Sequence, residues 1–230
     1  PGFCPACQKK TTFKSKHRWL RDHYRCKNCQ SIPRERAIFH VMDTYFAGWE
    51  KGRLHEIAPA NDYFARISVN YSCSQYYPDA KTGLVINGIR NENIEQLTFA
   101  DNSLDFIVSL DVLEHIFDPR AALKEMVRVV RTGGSAVFTV PIHKDLEESR
   151  QRAKMNSDGQ IEDFSPAEYH GNPVGDGRSL VTWDYGRDFV DKMHEWLEGI
   201  KVDIEIVNET KEEFGIEGEF LDVVIISKES

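Results

Sequence analysis

Leu97-Thr98-Phe99-Ala100-Asp101-Asn102-Ser103-Leu104-Asp105-Phe106-Ile107-Val108-Ser109 is the stretch whose reading decides the fold. Its turn-forming centre, Asp101-Asn102-Ser103, leads into an apolar run over 106–110, the pattern of a strand buried on both faces. Val112-Leu113-Glu114-His115 follows, and residues 119–130 then repeat apolar side chains at helical spacing from an initial proline. Gly133-Gly134 turns the chain into a second buried strand over 136–140.

Working outward, short apolar runs again alternate with helical segments. Residues 54–58 read as a strand, 62–67 as a helix, 69–74 as a strand and 84–87 as a short strand, which together predict a parallel sheet. Residues 37–49 read as a helix with Ile38, Val41, Met42, Tyr45 and Phe46 on one face. Near the end, 202–207 and 221–227 are strands separated by charged and glycine-bearing residues, as in an antiparallel hairpin.

Four of the five cysteines form Cys4-Pro-Ala-Cys7 and Cys26-Lys-Asn-Cys29, with eighteen residues between the pairs. Each CxxC turn can aim two thiolates at one point, and two such turns complete a tetrahedral S4 site suited to Zn²⁺ before iron. Two disulfides are the competing account in an oxidising compartment. Four thiolates leave no coordination position for a water, so the ion is expected to be structural. Cys73, alone in a strand-like stretch, is read as an inert thiol.

Composition is that of a globular protein, with 40% hydrophobic and 29% charged residues. The sequence has no apolar run of membrane-spanning length and no signal-peptide core in its first thirty residues, so no membrane partner and a cytoplasmic location are expected. The net charge of −8 conceals an asymmetry: residues 1–36 hold ten Lys/Arg against two Asp/Glu, and the remainder holds 19 against 35. A basic module on an acidic body either meets an anionic partner or packs against that body. Trp19 and Tyr24 are placed either to dock on the larger domain or to stack on bases.

The quoted stretch, with Val112-Leu113-Glu114-His115 and Arg128-Val129-Val130-Arg131-Thr132-Gly133-Gly134, resembles the class I S-adenosylmethionine-dependent methyltransferases. The paired CxxC ribbon, Arg34-Glu35-Arg36 and Tyr169-His170-Gly171-Asn172-Pro173 further resemble zinc-ribbon members linked with glycan or secondary-metabolite modification. The resemblance implies an α/β, seven-stranded, mostly parallel Rossmann-like sheet in the order 3-2-1-4-5-7-6. It implies a zinc ribbon over 1–36 and a catalytic domain over 37–230, with a substrate-side insertion around 143–185.

Ligands of open α/β sheets lie beyond the carboxyl ends of the strands. That rule and the resemblance together nominate Glu56, Ala58, Pro59, Gln75, Asn93, Ile94, Ser109, Leu110 and Asp111 for S-adenosylmethionine. The family's glycine-rich turn is here Ala58-Pro59-Ala60, and Gln75 and Asn93 stand where acids are usual. Methyl transfer needs the acceptor held in line with the methyl group and, for a hydroxyl or amine, a nearby base. His115, His143 and His170 are the candidates. Asp111, Glu114, His115 and His170 also carry the donor types of a divalent-metal site. Three functions follow as expectations: methylation of a small-molecule or glycan acceptor, RNA methylation with the basic ribbon touching RNA, or a catalytically silent binding module.

Overall fold

The computed structural model describes residues 1–171 and 177–230. Its central sheet contains Arg53–Ile57 (β1), Asn70–Gln75 (β2), Ile89–Asn91 (β3), Leu104–Leu110 (β4), Val130–Thr139 (β5), Val202–Val207 (β6) and Val223–Lys228 (β7). The order is β3-β2-β1-β4-β5-β7-β6, as expected, and β7 runs antiparallel to both neighbours. An eighth short strand, Val85–Ile86, extends the β3 edge.

That edge corrects the sequence reading, which places the third strand at 84–87. The parallel partner of β2 is instead Ile89–Asn91, and 85–86 folds back onto it through Asn87 and Gly88, both at positive φ. The reason is polar. Asn91 is fully buried, and its amide donates to the carbonyls of Tyr77 and Ala80 at 3.1 and 2.9 Å, whereas Val85 is 67% exposed.

Alternating side chains along the strands feed two cores. Ile107, Ala136, Phe138 and Val224 face the helices Pro119–Val129 and Phe189–Trp196. Val108, Val137 and Ile225 face the other layer, with helix Pro33–Tyr45 and the short helix Tyr63–Ile67. Each such fully buried side chain contributes roughly 1.5–3 kcal/mol. Helix Phe189–Trp196 has no counterpart in the sequence reading. Helix Pro33–Tyr45 starts before the expected residue 37, because Pro33 presets the first turn and the Glu35 carboxylate accepts from the Ile32 N–H at 2.8 Å. The helix therefore crosses the expected domain boundary at 36/37.

The ribbon comprises two small ladders, Gly2–Cys4 with Lys9–Thr11 and Phe13–Lys14 with Arg25–Cys26, plus a helical turn at Leu20–His23. Arg36 fastens it to the body. This fully buried guanidinium donates to the carbonyls of Ser31, Tyr24 and Gly215 and lies 4.6 Å from the Phe13 ring centroid. Gly215 is at φ +64°, and a Cβ there would come within 2.5 Å of that ring, so only glycine fits. Among the described residues, the insertion forms three two-stranded ladders, the last pairing Tyr169–Gly171 with Arg178–Leu180. Asn172 and Pro173 of the quoted motif lie outside the described residues. No helix among the described residues is long and apolar enough to cross a membrane.

Candidate functional site

A cavity of about 830 Å³ lies over the carboxyl ends of β1, β2, β4 and β5. Its floor includes Ala58, Ala60, Gln75, Leu110 and Asp111. One wall is the ribbon, through Trp19, Arg21, Asp22 and Arg34, and the other is the insertion, through Glu168, His170 and Trp183.

Of the residues nominated for the cofactor, Ala58, Gln75, Leu110 and Asp111 line this cavity; Glu56, Pro59, Asn93, Ile94 and Ser109 do not. Strand parity explains Glu56. It faces the opposite side of the sheet, where the Tyr71 hydroxyl donates to it at 2.7 Å and burial pushes its carboxyl up to about 7. Ile94 and Ser109 are buried in the interior. The Asn93 side-chain oxygen accepts from the Glu95 N–H at 3.0 Å, and Pro59 offers only its carbonyl, to the Gln75 amide at 3.2 Å.

The turn after β1 retains the conformation a glycine would supply, since Ala58 sits at φ +51°. A non-glycine residue in this region is strained, which lets the chain bend sharply beneath a ligand without glycine's freedom. The Gln75 amide donates one of its two hydrogens to the Pro59 carbonyl, which leaves its other hydrogen and its oxygen for a ligand in the cavity. These features fit the amino-acid and ribose portions of S-adenosylmethionine.

Asp111, also at positive φ, is the centre of the ribbon-side wall. Its Oδ2 pairs with Arg21 at 2.5 Å and Arg34 at 2.8 Å, and its Oδ1 accepts from the Thr139 hydroxyl at 2.8 Å. Burial opposes its ionisation, but Arg34 and Arg21 outweigh that and hold its carboxyl below the usual range. Asp22 completes the network by accepting from both arginines and, at 2.7 Å, from the Trp19 indole. Nothing in the spacing of Arg21, Arg34 and Asp111 indicated this network; the signal available was the Arg34-Glu35-Arg36 motif, to which no role was attached.

On the insertion side, the backbone after β4 is pinned by Thr182, whose N–H donates to the Glu114 carbonyl at 2.8 Å. The Glu114 side chain is 3% exposed, and neither carboxylate oxygen has a hydrogen-bond partner. Burial, and then the charge of Asp111, raise its carboxyl well above the ordinary value. His115 Nε2 and His170 Nδ1 each lie 3.9 Å from its Oε1. Burial lowers the basicity of His115, with a smaller contribution from His170 in the same direction. His143 stands apart against the Phe220 ring, at 5.2 Å between centroids. The three expected histidines thus all reach the cavity, and two of them share Glu114.

The four ribbon thiols are free, with Cys4 and Cys29 sulfurs 3.7 Å apart and Cys7 and Cys26 sulfurs 4.0 Å apart. All four lie within 4.8 Å of one another. Thiolates about 2.3 Å from a tetrahedral ion sit roughly 3.8 Å apart, so the cluster fits an S4 metal site.

Residues 57–138 match a protein family described as a methyltransferase domain. Dimethylglycine N-methyltransferase of Parasynechococcus marenigrum is 27% identical over 142 residues, 60% of this chain and 47% of the relative. Ajmaline N-methyltransferase of Rauvolfia serpentina is 31% identical over 58 residues, 25% of this chain and 20% of the relative. The chain therefore spans less than half the length of these curated relatives. A solved S-adenosylmethionine-dependent methyltransferase from Mesorhizobium loti superposes with a TM-score of 0.51 at 12% identity, covering 83% of this chain and 97% of that one.

Proposed function

We propose that this chain, a class I S-adenosylmethionine-dependent methyltransferase by its fold and by the match over residues 57–138, methylates a hydroxyl or amine of a small-molecule or glycan acceptor. The observation that carries the reading is the single cavity running from the Ala58 turn and Leu110 to the insertion histidines. In this reading it joins the position of a methyl donor to a half-open chamber for the acceptor. Both curated relatives named above act, by name, as N-methyltransferases, which supports an acceptor of small size.

When bound, S-adenosylmethionine supplies an electrophilic methyl group on a sulfonium that becomes neutral on transfer. The chain's own work is positional. The turn at Ala58 and the Gln75 amide hold the donor, and the insertion wall excludes water and orients the acceptor. His143, free of the Glu114 cluster, is the group we assign to take the acceptor's proton, and His143→Asn is expected to lower kcat by roughly 10²-fold with donor affinity retained. The ribbon thiols hold a structural Zn²⁺ in this reading.

A second reading, an RNA acceptor, draws on Lys9, Lys10, Lys14, Lys16, Arg18, Arg25 and Lys27, all exposed on the ribbon. Calorimetric titration with S-adenosylmethionine and S-adenosylhomocysteine tests the shared premise. Micromolar-range binding is expected; absence of binding to either would leave a silent scaffold. RNA affinity falling steeply with salt would move the acceptor assignment to the second reading.

A further inference from the structure

Among the described residues, Glu114 is a buried carboxylate with neither oxygen hydrogen-bonded, and it lines the cavity. A carboxyl group in that position costs several kcal/mol unless something in the cavity compensates it. The neighbours that approach it are ring nitrogens: His115 Nε2 and His170 Nδ1, each 3.9 Å from Oε1. One donor atom from each of the three residues falls within 4.8 Å of the others.

The far nitrogen of His115 is engaged in a way that frees the one facing Glu114. His115 Nδ1 lies 2.8 Å from the Leu180 carbonyl, which can only accept, so Nδ1 carries the proton and Nε2 presents its lone pair. His170 Nε2 lies 3.8 Å from a Glu168 carboxylate oxygen, beyond hydrogen-bond reach, so the neutral ring can present its Nδ1 lone pair toward Glu114. Histidine ligands to metals are commonly held as His115 is, by a carbonyl accepting from the far nitrogen. Asp111 does not join them, because both its oxygens are taken by Arg21, Arg34 and Thr139.

We propose that Glu114, His115 and His170 bind a divalent first-row transition ion whose open positions face the acceptor chamber. Two imidazoles and one carboxylate suit such ions better than Mg²⁺ or Ca²⁺, which prefer oxygen. Donors about 2.1 Å from one ion lie roughly 3–4 Å from each other, so the observed separations need only small side-chain rotations to close. Three protein ligands leave room for an oxygen of the acceptor, which the ion would anchor in the chamber. That role toward the acceptor rests on the methyl-transfer reading; the existence of the site does not. His115 and His170 become ligands, and His143 keeps the proton-transfer role.

The test is titration with Mn²⁺ of the full chain prepared with one Zn²⁺ per molecule, the equivalent that the ribbon thiols take, bound and free Mn²⁺ being separated by their electron paramagnetic resonance signals. One Mn²⁺ per chain is expected, with affinity reduced at least about tenfold in Glu114→Gln and in His170→Ala and unchanged in His143→Asn. His170 is 41% exposed on an insertion strand, so its replacement leaves the fold intact, and Mn²⁺ should raise the Tm of the parent chain but not of His170→Ala. No binding to the parent chain, or binding that survives both substitutions undiminished, overturns the site. A chain that binds Mn²⁺ but not S-adenosylmethionine keeps the ion site and loses the methyl-transfer reading; the converse loses the ion site alone.

Discussion

The two walls of the cavity place charge in opposite ways. On the ribbon side, Asp22 and Asp111 face Arg21 and Arg34, and both oxygens of Asp111 are bonded. On the insertion side, Glu114 is more deeply buried than either aspartate and has no bond on either oxygen. Paired buried charges hold elements together, even with the Arg21 Nε left without a partner, whereas a buried carboxylate left open on both oxygens is a cost that a bound ion would offset. The ribbon wall is accordingly read as architecture and the insertion wall as chemistry.

Disrupting the ribbon should have the largest effect. Cys4→Ser, or chelation of the ribbon metal, is expected to release Arg21 and Arg34 from Asp111 and lower the Tm by more than about 10 °C in a circular-dichroism melt. An unchanged Tm would mean that the ribbon is an independent appendage. Next, Asp111→Ala leaves two partly buried guanidinium groups with only Asp22 to share, and urea denaturation should show a loss of roughly 2–4 kcal/mol. Glu114→Gln, with no ion at that cluster, should not lower stability and should raise it at neutral pH, because no protein bond is lost and burial opposes ionisation of the parent carboxyl. Equal losses at the two positions would erase the contrast between the walls.

Glu56 lies between these extremes, buried with one partner, Tyr71. Its folded value of about 7 exceeds the ordinary 4.5, so its contribution to stability is fully present below about pH 4.5 and is lost as pH rises through about 7. Glu56→Gln should therefore gain about 2–3 kcal/mol over the parent chain at pH 8 and nothing at pH 4, with cofactor affinity unaltered. The smallest effect is expected for Gln75→Ala, which should weaken S-adenosylmethionine binding by about 1 kcal/mol in calorimetry.

The sheet was legible because its central strands are largely buried on both faces and read as near-continuous apolar runs, Phe106 to Leu110 most plainly, with Ser109 the one polar residue in it. The paired CxxC motifs announced the thiol cluster equally well. The edge strand was misplaced because its register is set by the side-chain amide of Asn91 rather than by apolar residues. Helix Phe189–Trp196 is eight residues long, too short for its periodicity to stand out. At the site, residues contributed by strand ends could be nominated from topology, but Glu56 shows that a position on a strand end does not reveal which face it serves. The link from Arg21 to Asp111 spans ninety residues and has no local signature.

The central claim is that donor and acceptor share the cavity between the two walls. Hydrogen–deuterium exchange of the zinc-replete chain with and without S-adenosylhomocysteine tests it most directly. Protection is predicted in peptides covering 58–61 and 109–111 on the floor and 19–22 on the ribbon wall. Protection confined to other surfaces, or none at saturating ligand, would contradict it.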